Sequence, residues 1–304
     1  MFNRPKFKKD AKEQLKGNYV LAVLSSLIIT AISIIIKLST ARLSSKPLAN
    51  FFIVIFSFIV AAVLRYAYLS LCTKIADKKE KVTFNDFTSG LSLAKPAILA
   101  ELWKSLFLIL WALICIIPIT AIVVVLAVSS LLKTLGGSPS AQMIENYFDM
   151  LFSDPEMFAS WIVNIFSDYL VIALIAVILF ILFIIIMVVK RLQYSQMEYI
   201  ITENKNISVR KAMRLSIEFT KGNKGNLFVM ALSFIGWFLP ILVATIPIHS
   251  SNLSNPDKKM FISIIGSILA SFIIPYITVA FINAYRSIKS TTLNAGNVNQ
   301  EDIQ

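Results

Sequence analysis

Two ionisable side chains interrupt long apolar runs of this sequence. Arg65 lies in the second run, eight residues before Thr73, and Glu101 lies in the first turns of the third run. A charge in hydrocarbon is costly unless it pairs or reaches water, so such a group is a functional candidate. Because both groups are expected at similar depths on adjacent spans, we predict that Arg65 and Glu101 form an intramembrane polar pair. A purely structural role is the competing interpretation, in which the pair joins two spans or Arg65 extends to the surface.

The sequence lacks the groups of residues that hydrolases and metalloenzymes need. His249 is the only histidine, which excludes an HExxH motif and any histidine cluster. Cys72 and Cys115 are the only cysteines, and both lie in apolar runs, which is typical of small core side chains. We therefore predict no catalytic, cofactor-binding or metal-binding residues, no cofactor, and a protein that is not an enzyme.

The composition predicts a membrane protein. Of the 304 residues, 57% are hydrophobic and 15% are charged, whereas a soluble domain is about half apolar and about a quarter charged. The apolar residues form runs of roughly 20 or more, long enough to cross a hydrocarbon core. Backbone groups in lipid must be satisfied within the segment, so these runs predict helices. We predict an all-α, polytopic integral membrane protein with about six transmembrane helices plus interfacial amphipathic helices. The predicted spans are 19–38, 49–73, 96–127, 169–189, 226–248 and 260–285.

The basic residues between the spans predict the topology. Residues 1–18, 74–95, 190–225 and the tail from Arg286 hold twenty-one lysines and arginines, and the connections on the other side hold six. This asymmetry places both termini in the cytoplasm of a bacterial, multi-pass membrane protein. Membrane topology and contact with anionic lipid explain the net charge of +12 better than binding to nucleic acid does.

The segment 134–168 differs from the other connections. It has two stretches with amphipathic helical spacing, each preceded by a helix-start signal, and it carries five carboxylates with no lysine or arginine from Leu135 onwards. We predict two amphipathic helices in an extracytoplasmic insertion. They lie on the lipid, cap the bundle, or provide a docking surface for a cationic peptide or protein partner.

Two further segments have an apolar face beside basic residues. The N-terminal stretch "PKFKKDAKEQLKG" aligns Phe7, Ala11 and Leu15, and predicts a surface helix on anionic lipid. The second helix is predicted to begin after Ser208 and to stop at Gly222, followed by an apolar run. Its candidate contacts with the inner leaflet are Arg210, Arg214 and Lys221.

The chain is predicted to form one membrane-embedded helical domain over residues 1–289. The acidic insertion is part of that domain, and residues 290–304 are predicted to be a flexible cytoplasmic tail.

Several motifs together resemble those of a known family. They are "AKEQLKGNYVLAVL", "TFNDFTSGL", "LWALICIIPI", "YSQMEYIITENKNISVRKAMRLSIEFTKGNKGNLFVMALSFIGW" and "PYITVAFINAYRS". With them the chain is similar to an uncharacterised family of polytopic membrane proteins from low-GC Gram-positive bacteria. That family is distantly similar to the membrane-anchor domain of some glycerophosphodiester phosphodiesterases. The resemblance covers most of residues 1–130 and 170–289 and implies a helical membrane fold, but no established activity.

Two functions are compatible with the sequence. The first is a non-enzymatic protein of the bacterial cytoplasmic membrane that acts in envelope homeostasis or in tolerance to membrane-active peptides. The alternative is a small transporter or flippase-like carrier, for which an aqueous cavity at Arg65 would be the distinguishing observation.

Overall fold

A computed structural model describes residues 2–42, 46–77, 82–249 and 255–294. Within these residues the chain is helical and contains no strand, so the predicted all-α class is confirmed. The helices are α1 (Arg4–Leu15), α2 (Tyr19–Arg42), α3 (Pro47–Ala76), α4 (Phe84–Ser89), α5 (Ala94–Leu135), α6 (Ala141–Ser153), α7 (Pro155–Asp168), α8 (Leu170–Gln193), α9 (Met197–Glu203), α10 (Val209–Thr220), α11 (Lys224–Leu232), α12 (Leu239–His249) and α13 (Asn255–Asn294).

Six helical segments are long and apolar enough to cross a membrane. Each contains one predicted span, and the protein is therefore a multi-pass integral membrane protein. Pro118 lies inside α5, which is continuous from Ala94 to Leu135. The fifth span is built from α11, a short 3-10 turn at Ile235–Phe238, and α12.

The chain divides into two compact units. Unit 1 comprises Met1–Lys104 and Leu192–Gln304, and unit 2 comprises Ser105–Arg191. The single domain predicted for 1–289 stays a prediction. The predicted tail begins inside α13, which continues as a helix to Asn294, and residues 295–304 lie outside the described part of the chain.

Unit 1 is packed around one end of its spans. α1 packs against α13 and α3, while α13 also contacts α2, α3, α10 and α12. Phe7, Ala11 and Leu15 are the buried residues of α1, so the predicted apolar face exists but lies against protein. Gly17 has φ +85°, a conformation that glycine adopts readily, and it allows the chain to reverse direction from α1 into α2. We call this end of unit 1, marked by α1, the terminal side.

Gly90 permits a close approach between helices in unit 1. It lies in the short 3-10 helix that joins α4 to α5, against α3. A Cβ at Gly90 would lie 2.7 Å from Ala67 Cα and 2.9 Å from its carbonyl oxygen. Lys74 Nζ and Asp86 Oδ1, 2.6 Å apart, tie α3 to α4 beside this contact.

In unit 2, two amphipathic helices follow α5, as predicted for 134–168. Ser140 and Asp154 cap α6 and α7 with their side-chain oxygens. The helices pack on one another, and Leu151 is fully buried between apolar neighbours. Lys133 at the end of α5 pairs with Asp168 at the end of α7, at 2.7 Å.

Candidate functional site: a polar cavity beside Arg65

The carboxylate that pairs with Arg65 is Glu198, not Glu101. Arg65 Nε lies 2.7 Å from Glu198 Oε2, and Arg65 Nη2 donates to Oε1 at 3.0 Å. Glu101 instead accepts a hydrogen bond from Lys104 Nζ, one turn along α5, at 2.5 Å. Glu101 still contributes a favourable charge interaction to Arg65. Arg65 is therefore paired with a different carboxylate from the predicted one, and a functional role for Arg65 stays a prediction.

Arg65 lies well inside its span. It precedes the end of α3 at Ala76 by eleven residues, or about 16 Å at the helical rise of about 1.5 Å per residue. α3 has 30 residues, about 45 Å at this rise, and is therefore longer than a hydrocarbon core roughly 30 Å thick. Within an apolar span a guanidinium needs a partner of opposite charge, and Glu198 supplies it through its contacts with Nε and Nη2.

A break in the fourth span positions Glu198. α8 ends at Gln193 and α9 begins at Met197, so backbone groups between them lose their helical partners. Ser216 on α10 satisfies two of them: its hydroxyl donates to Gln193 O at 2.7 Å and accepts from the Gln196 N–H at 3.1 Å. Ser216 is fully buried, and the broken span is therefore fixed by a side chain from a different helix.

The ion pair lines a cavity of about 520 Å³ within unit 1. This volume is within the range of small-molecule sites, about 300–1,000 Å³. Its walls come from α2, α3, α13 and the start of α9, and they are mostly apolar. The polar residues that contribute to its surface include Ser26, Thr30, Ser33, Arg65, Gln196 and Glu198.

Several polar groups at this cavity retain unused hydrogen-bonding capacity within the described residues, and they include Arg65, Gln196, Tyr68 Oη and Glu198 Oε2. The side chain of Arg65 is 56% exposed, and within the described residues only its Nε and Nη2 contact Glu198. Gln196 is 1% exposed, yet its Oε1 has no hydrogen-bond partner in the described part of the chain. A buried amide oxygen without a donor costs about 1–3 kcal/mol, so this atom calls for a donor from water or from a ligand.

A proline fixes the wall formed by α2 and α13. Pro275 has no N–H, so the carbonyl oxygen of Ser271, four residues earlier, lacks its usual helical partner. Ser26 Oγ donates to that oxygen at 2.7 Å, and Thr30 Oγ1 lies 2.7 Å from Ser271 Oγ. The hydroxyl groups therefore join α2 to α13 beside the cavity.

The three basic residues predicted for the inner leaflet lie on or next to α10. Arg210 lies over the ring of Trp103 at 5.2 Å, Arg214 is exposed, and Lys221 is 4.0 Å from Glu218. The apolar face of α10 packs into unit 1 and buries Met213 and other residues of the helix. That face therefore contacts protein rather than lipid, while contact of the basic residues with lipid stays a prediction.

Gly222 forms the predicted turn after α10, with φ +76°. Gly225 lies inside α11. The small residues Ala231, Ser233 and Gly236 of the fifth span are exposed, and no atom lies within 4 Å of a Cβ placed on Gly236, so they do not form a close helix contact among the described residues.

Within the described residues, no group of three His, Cys, Asp or Glu side chains could hold a metal ion. The side chain of His249 lies outside the described part of the structure.

The comparisons give a family but no characterised relative. No curated protein matches the chain, and no solved structure matches it. The family model described as "Protein of unknown function (DUF975)" matches residues 1–292, and the chain therefore belongs to that family of uncharacterised function.

Proposed function

We propose that this protein is a non-enzymatic carrier of the bacterial cytoplasmic membrane, with both termini in the cytoplasm, that binds the polar head of an amphiphile in the Arg65 cavity. A small transporter or flippase-like carrier for an envelope amphiphile would serve envelope homeostasis directly. The supporting observation is the position of Arg65: its side chain is 56% exposed and lines a cavity, eleven residues before the end of α3.

The spare N–H donors of Arg65 favour a head that carries an oxyanion. Glu198 neutralises Arg65, so the empty cavity holds no net charge from this pair and can exist in lipid. The guanidinium has five N–H groups, and the bonds to Glu198 leave N–H groups that can reach an oxyanion. Charge-assisted bonds of this kind are about twice as strong as neutral ones.

Gln196 favours a head that also carries a hydrogen-bond donor. Its Oε1 is a buried acceptor that lacks a partner among the described residues, and a ligand hydroxyl would satisfy it once the amide turns towards the cavity. The ligand that fits both groups has an oxyanion and a hydroxyl on one head, as in a polyol phosphate, attached to an apolar tail. The apolar walls of the cavity suit the adjoining part of the tail.

A lipid-transfer experiment in proteoliposomes tests this proposal. Fluorescent phosphatidylglycerol and phosphatidylcholine are incorporated in both leaflets, and membrane-impermeant dithionite reports exchange between them. We expect the protein to accelerate exchange of the anionic lipid between the leaflets. Arg65→Gln should slow that exchange by about tenfold or more, because a charged hydrogen bond is lost. Arg42→Gln removes the same charge at an exposed position at the end of α2 and should leave the rate unchanged.

Equal rates for Arg65→Gln and the unsubstituted protein would contradict the role of the cavity. Equal acceleration of both lipids would contradict the preference for an anionic head.

The acidic helices of unit 2 support a second candidate function, tolerance to cationic membrane-active peptides. Exposed carboxylates at Glu145, Asp149, Asp154 and Glu156 surround an aromatic row, in which Phe148 and Phe152 stack at 6.0 Å. Exposed Phe152 offers apolar contact, so the surface has the charge and the rings that an amphipathic cationic peptide would bind.

Titration of a lysine-rich amphipathic peptide onto the protein in nanodiscs tests this candidate. Glu145→Gln with Asp149→Asn should weaken binding, and the gain in affinity at low salt should shrink. Unchanged binding by this variant would contradict the candidate function, without bearing on the Arg65 cavity.

A further inference from the structure

A second recess lies on the terminal side of unit 1, and the proposed carrier function does not use it. It has a volume of about 450 Å³. We call it the lysine recess; it is lined mainly by Lys12, Lys16, Tyr19, Trp237, Phe272 and Tyr276.

The residues of the lysine recess have the composition expected at a boundary between membrane and water. Tyr19 is the first residue of α2, a membrane span, and Lys12 and Lys16 lie on or directly after the preceding amphipathic helix α1. Trp237 and Tyr276 belong to the fifth and sixth spans. Tryptophan and tyrosine favour the level of lipid head groups, because their rings are apolar and carry one polar group.

Within the described residues, no carboxylate neutralises the two lysines of the recess. Neither Lys12 nor Lys16 has a carboxylate within 4 Å among the described residues. Lys12 Nζ lies 5.9 Å from the Trp237 ring and 5.7 Å from the Tyr276 ring, within the range of cation–π contacts. Positive charge and exposed aromatic surface therefore meet at one place, and Trp237 is 45% exposed.

The neighbouring Lys8 lies where its charged form is disfavoured. Lys8 donates to Ser233 O at 3.0 Å and lies 4.3 Å from the Phe234 ring centre. Burial, together with Arg4 and Lys12, lowers the pKa of Lys8. An anion near Lys12 would relieve this repulsion between the cations of α1.

We propose that the lysine recess binds one anionic phospholipid from the leaflet on the terminal side. Its phosphate lies between Lys12 and Lys16, and the start of an acyl chain lies along Phe272 and Trp237. Free phosphate would use the lysines but not the ring surfaces, whereas an anionic lipid uses both. This site is independent of the Arg65 cavity and its proposed carrier function.

Quenching of Trp237 by brominated lipids tests the site. In a protein whose only tryptophan is Trp237, made by Trp→Phe changes at 103, 111 and 161, brominated phosphatidylglycerol is added at a low mole fraction to phosphatidylcholine nanodiscs. We expect it to quench Trp237 more strongly than brominated phosphatidylcholine at the same fraction. Lys12→Ala with Lys16→Ala should weaken the apparent affinity about thirtyfold, at about fivefold for each lysine near the lipid surface.

Lys6→Ala with Lys9→Ala is the matched control. These two lysines are exposed on the same helix and do not line the recess. Their substitution removes the same amount of charge. Their loss should change the affinity much less than the Lys12 and Lys16 pair does. Equal losses in both variants, or equal quenching by both brominated lipids, would overturn the proposal. Relief of the quenching by millimolar inorganic phosphate would assign the recess to a free anion and would also overturn the lipid assignment.

Discussion

Unit 1 and unit 2 bury their side chains to very different extents. Of the twelve largest fully buried side chains among the described residues, all but Leu151 lie in unit 1, and they include Tyr66, Phe219 and Tyr285. In unit 2, Ala173 is the only buried residue of α8 among those described. The apolar side chains of α8 and of the later turns of α5 are largely exposed, so they suit contact with lipid.

The two units also differ in their polar contacts. In unit 1, side chains join elements far apart in sequence: Tyr285 Oη donates to Glu203 at 2.9 Å, and Arg286 pairs with Asp77 at 2.6 Å. Gln14 and Asn283 exchange hydrogen bonds between α1 and α13. Lipid gives no hydrophobic drive for helix association, so close packing and polar contacts must hold spans together. The comparison teaches that unit 1 should be sensitive to substitution and unit 2 should be tolerant.

Gly90→Ala should have the largest effect in this comparison. Gly90 has φ −66°, which any residue adopts, so the cost comes from the new Cβ meeting the Ala67 backbone at 2.7 Å. Backbone cannot move aside as a side chain does, and we expect a loss of about 2–3 kcal/mol in the free energy of unfolding. Thermal denaturation in detergent measures it.

Gly225→Ala is the control for this change. It lies in α11, and nothing is within 4 Å of a Cβ at this position, so alanine should stabilise the helix by about 0.5–1 kcal/mol. A melting temperature for Gly90→Ala at or above that of Gly225→Ala would contradict the close packing of unit 1.

Ser216→Ala should have the next largest effect. It leaves the Gln193 carbonyl oxygen and the Gln196 N–H without their partner at the break between α8 and α9. Unsatisfied buried groups cost about 1–3 kcal/mol, and we expect about 2 kcal/mol here, together with weaker lipid transfer because Glu198 follows the break.

Ser160→Ala in α7 is the matched change in unit 2. Ser160 is exposed, and among the described residues its hydroxyl donates to Met157 O, three residues earlier on the same helix, so stability should change little. Equal losses for Ser160→Ala and Ser216→Ala would remove the distinction between the units.

The spans could be predicted from the sequence, but the partners of their polar residues could not. A long apolar run needs only its own backbone to become a helix in lipid, so its position follows from local composition. Arg65 and Glu198 are 133 residues apart, and no periodicity connects them. Glu198 was not predicted as the partner because it lies just after the basic end of α8. The basic residues there indicate a connection between two spans rather than part of a span. One signal could have identified it: Glu198 lies within "MEYII", where a single charge stands among apolar residues next to a helix break.

The amphipathic helices show a second limit of sequence reasoning. α1 and α10 have an apolar face that predicts burial, and both bury it. The same periodicity arises whether the face meets lipid or protein, because both are apolar. Only the return of α13 beside α1 and α10 decides between them, and that contact depends on distant segments.

Two surface ion pairs, one in each unit, should show the smallest difference in stability between the units. Lys74–Asp86 joins α3 to α4, and Asp86 also accepts from the Thr83 N–H at 2.8 Å in the capping box of α4. Lys133–Asp168 in unit 2 joins two exposed helix ends, and 62% of the Lys133 side chain is exposed. Lys74→Ala should cost about 0.5–1 kcal/mol, near the upper end for surface pairs, since its partner already has a fixed position.

Lys133→Ala should leave the melting temperature unchanged, because water and salt screen an exposed pair. The two variants are compared at low and at physiological salt. We expect the difference between them to narrow as salt rises but to persist, because Asp86 remains held by Thr83. If Lys133→Ala were the more damaging change, ion pairing would matter more in unit 2 than in unit 1, and the contrast in packing would not govern stability.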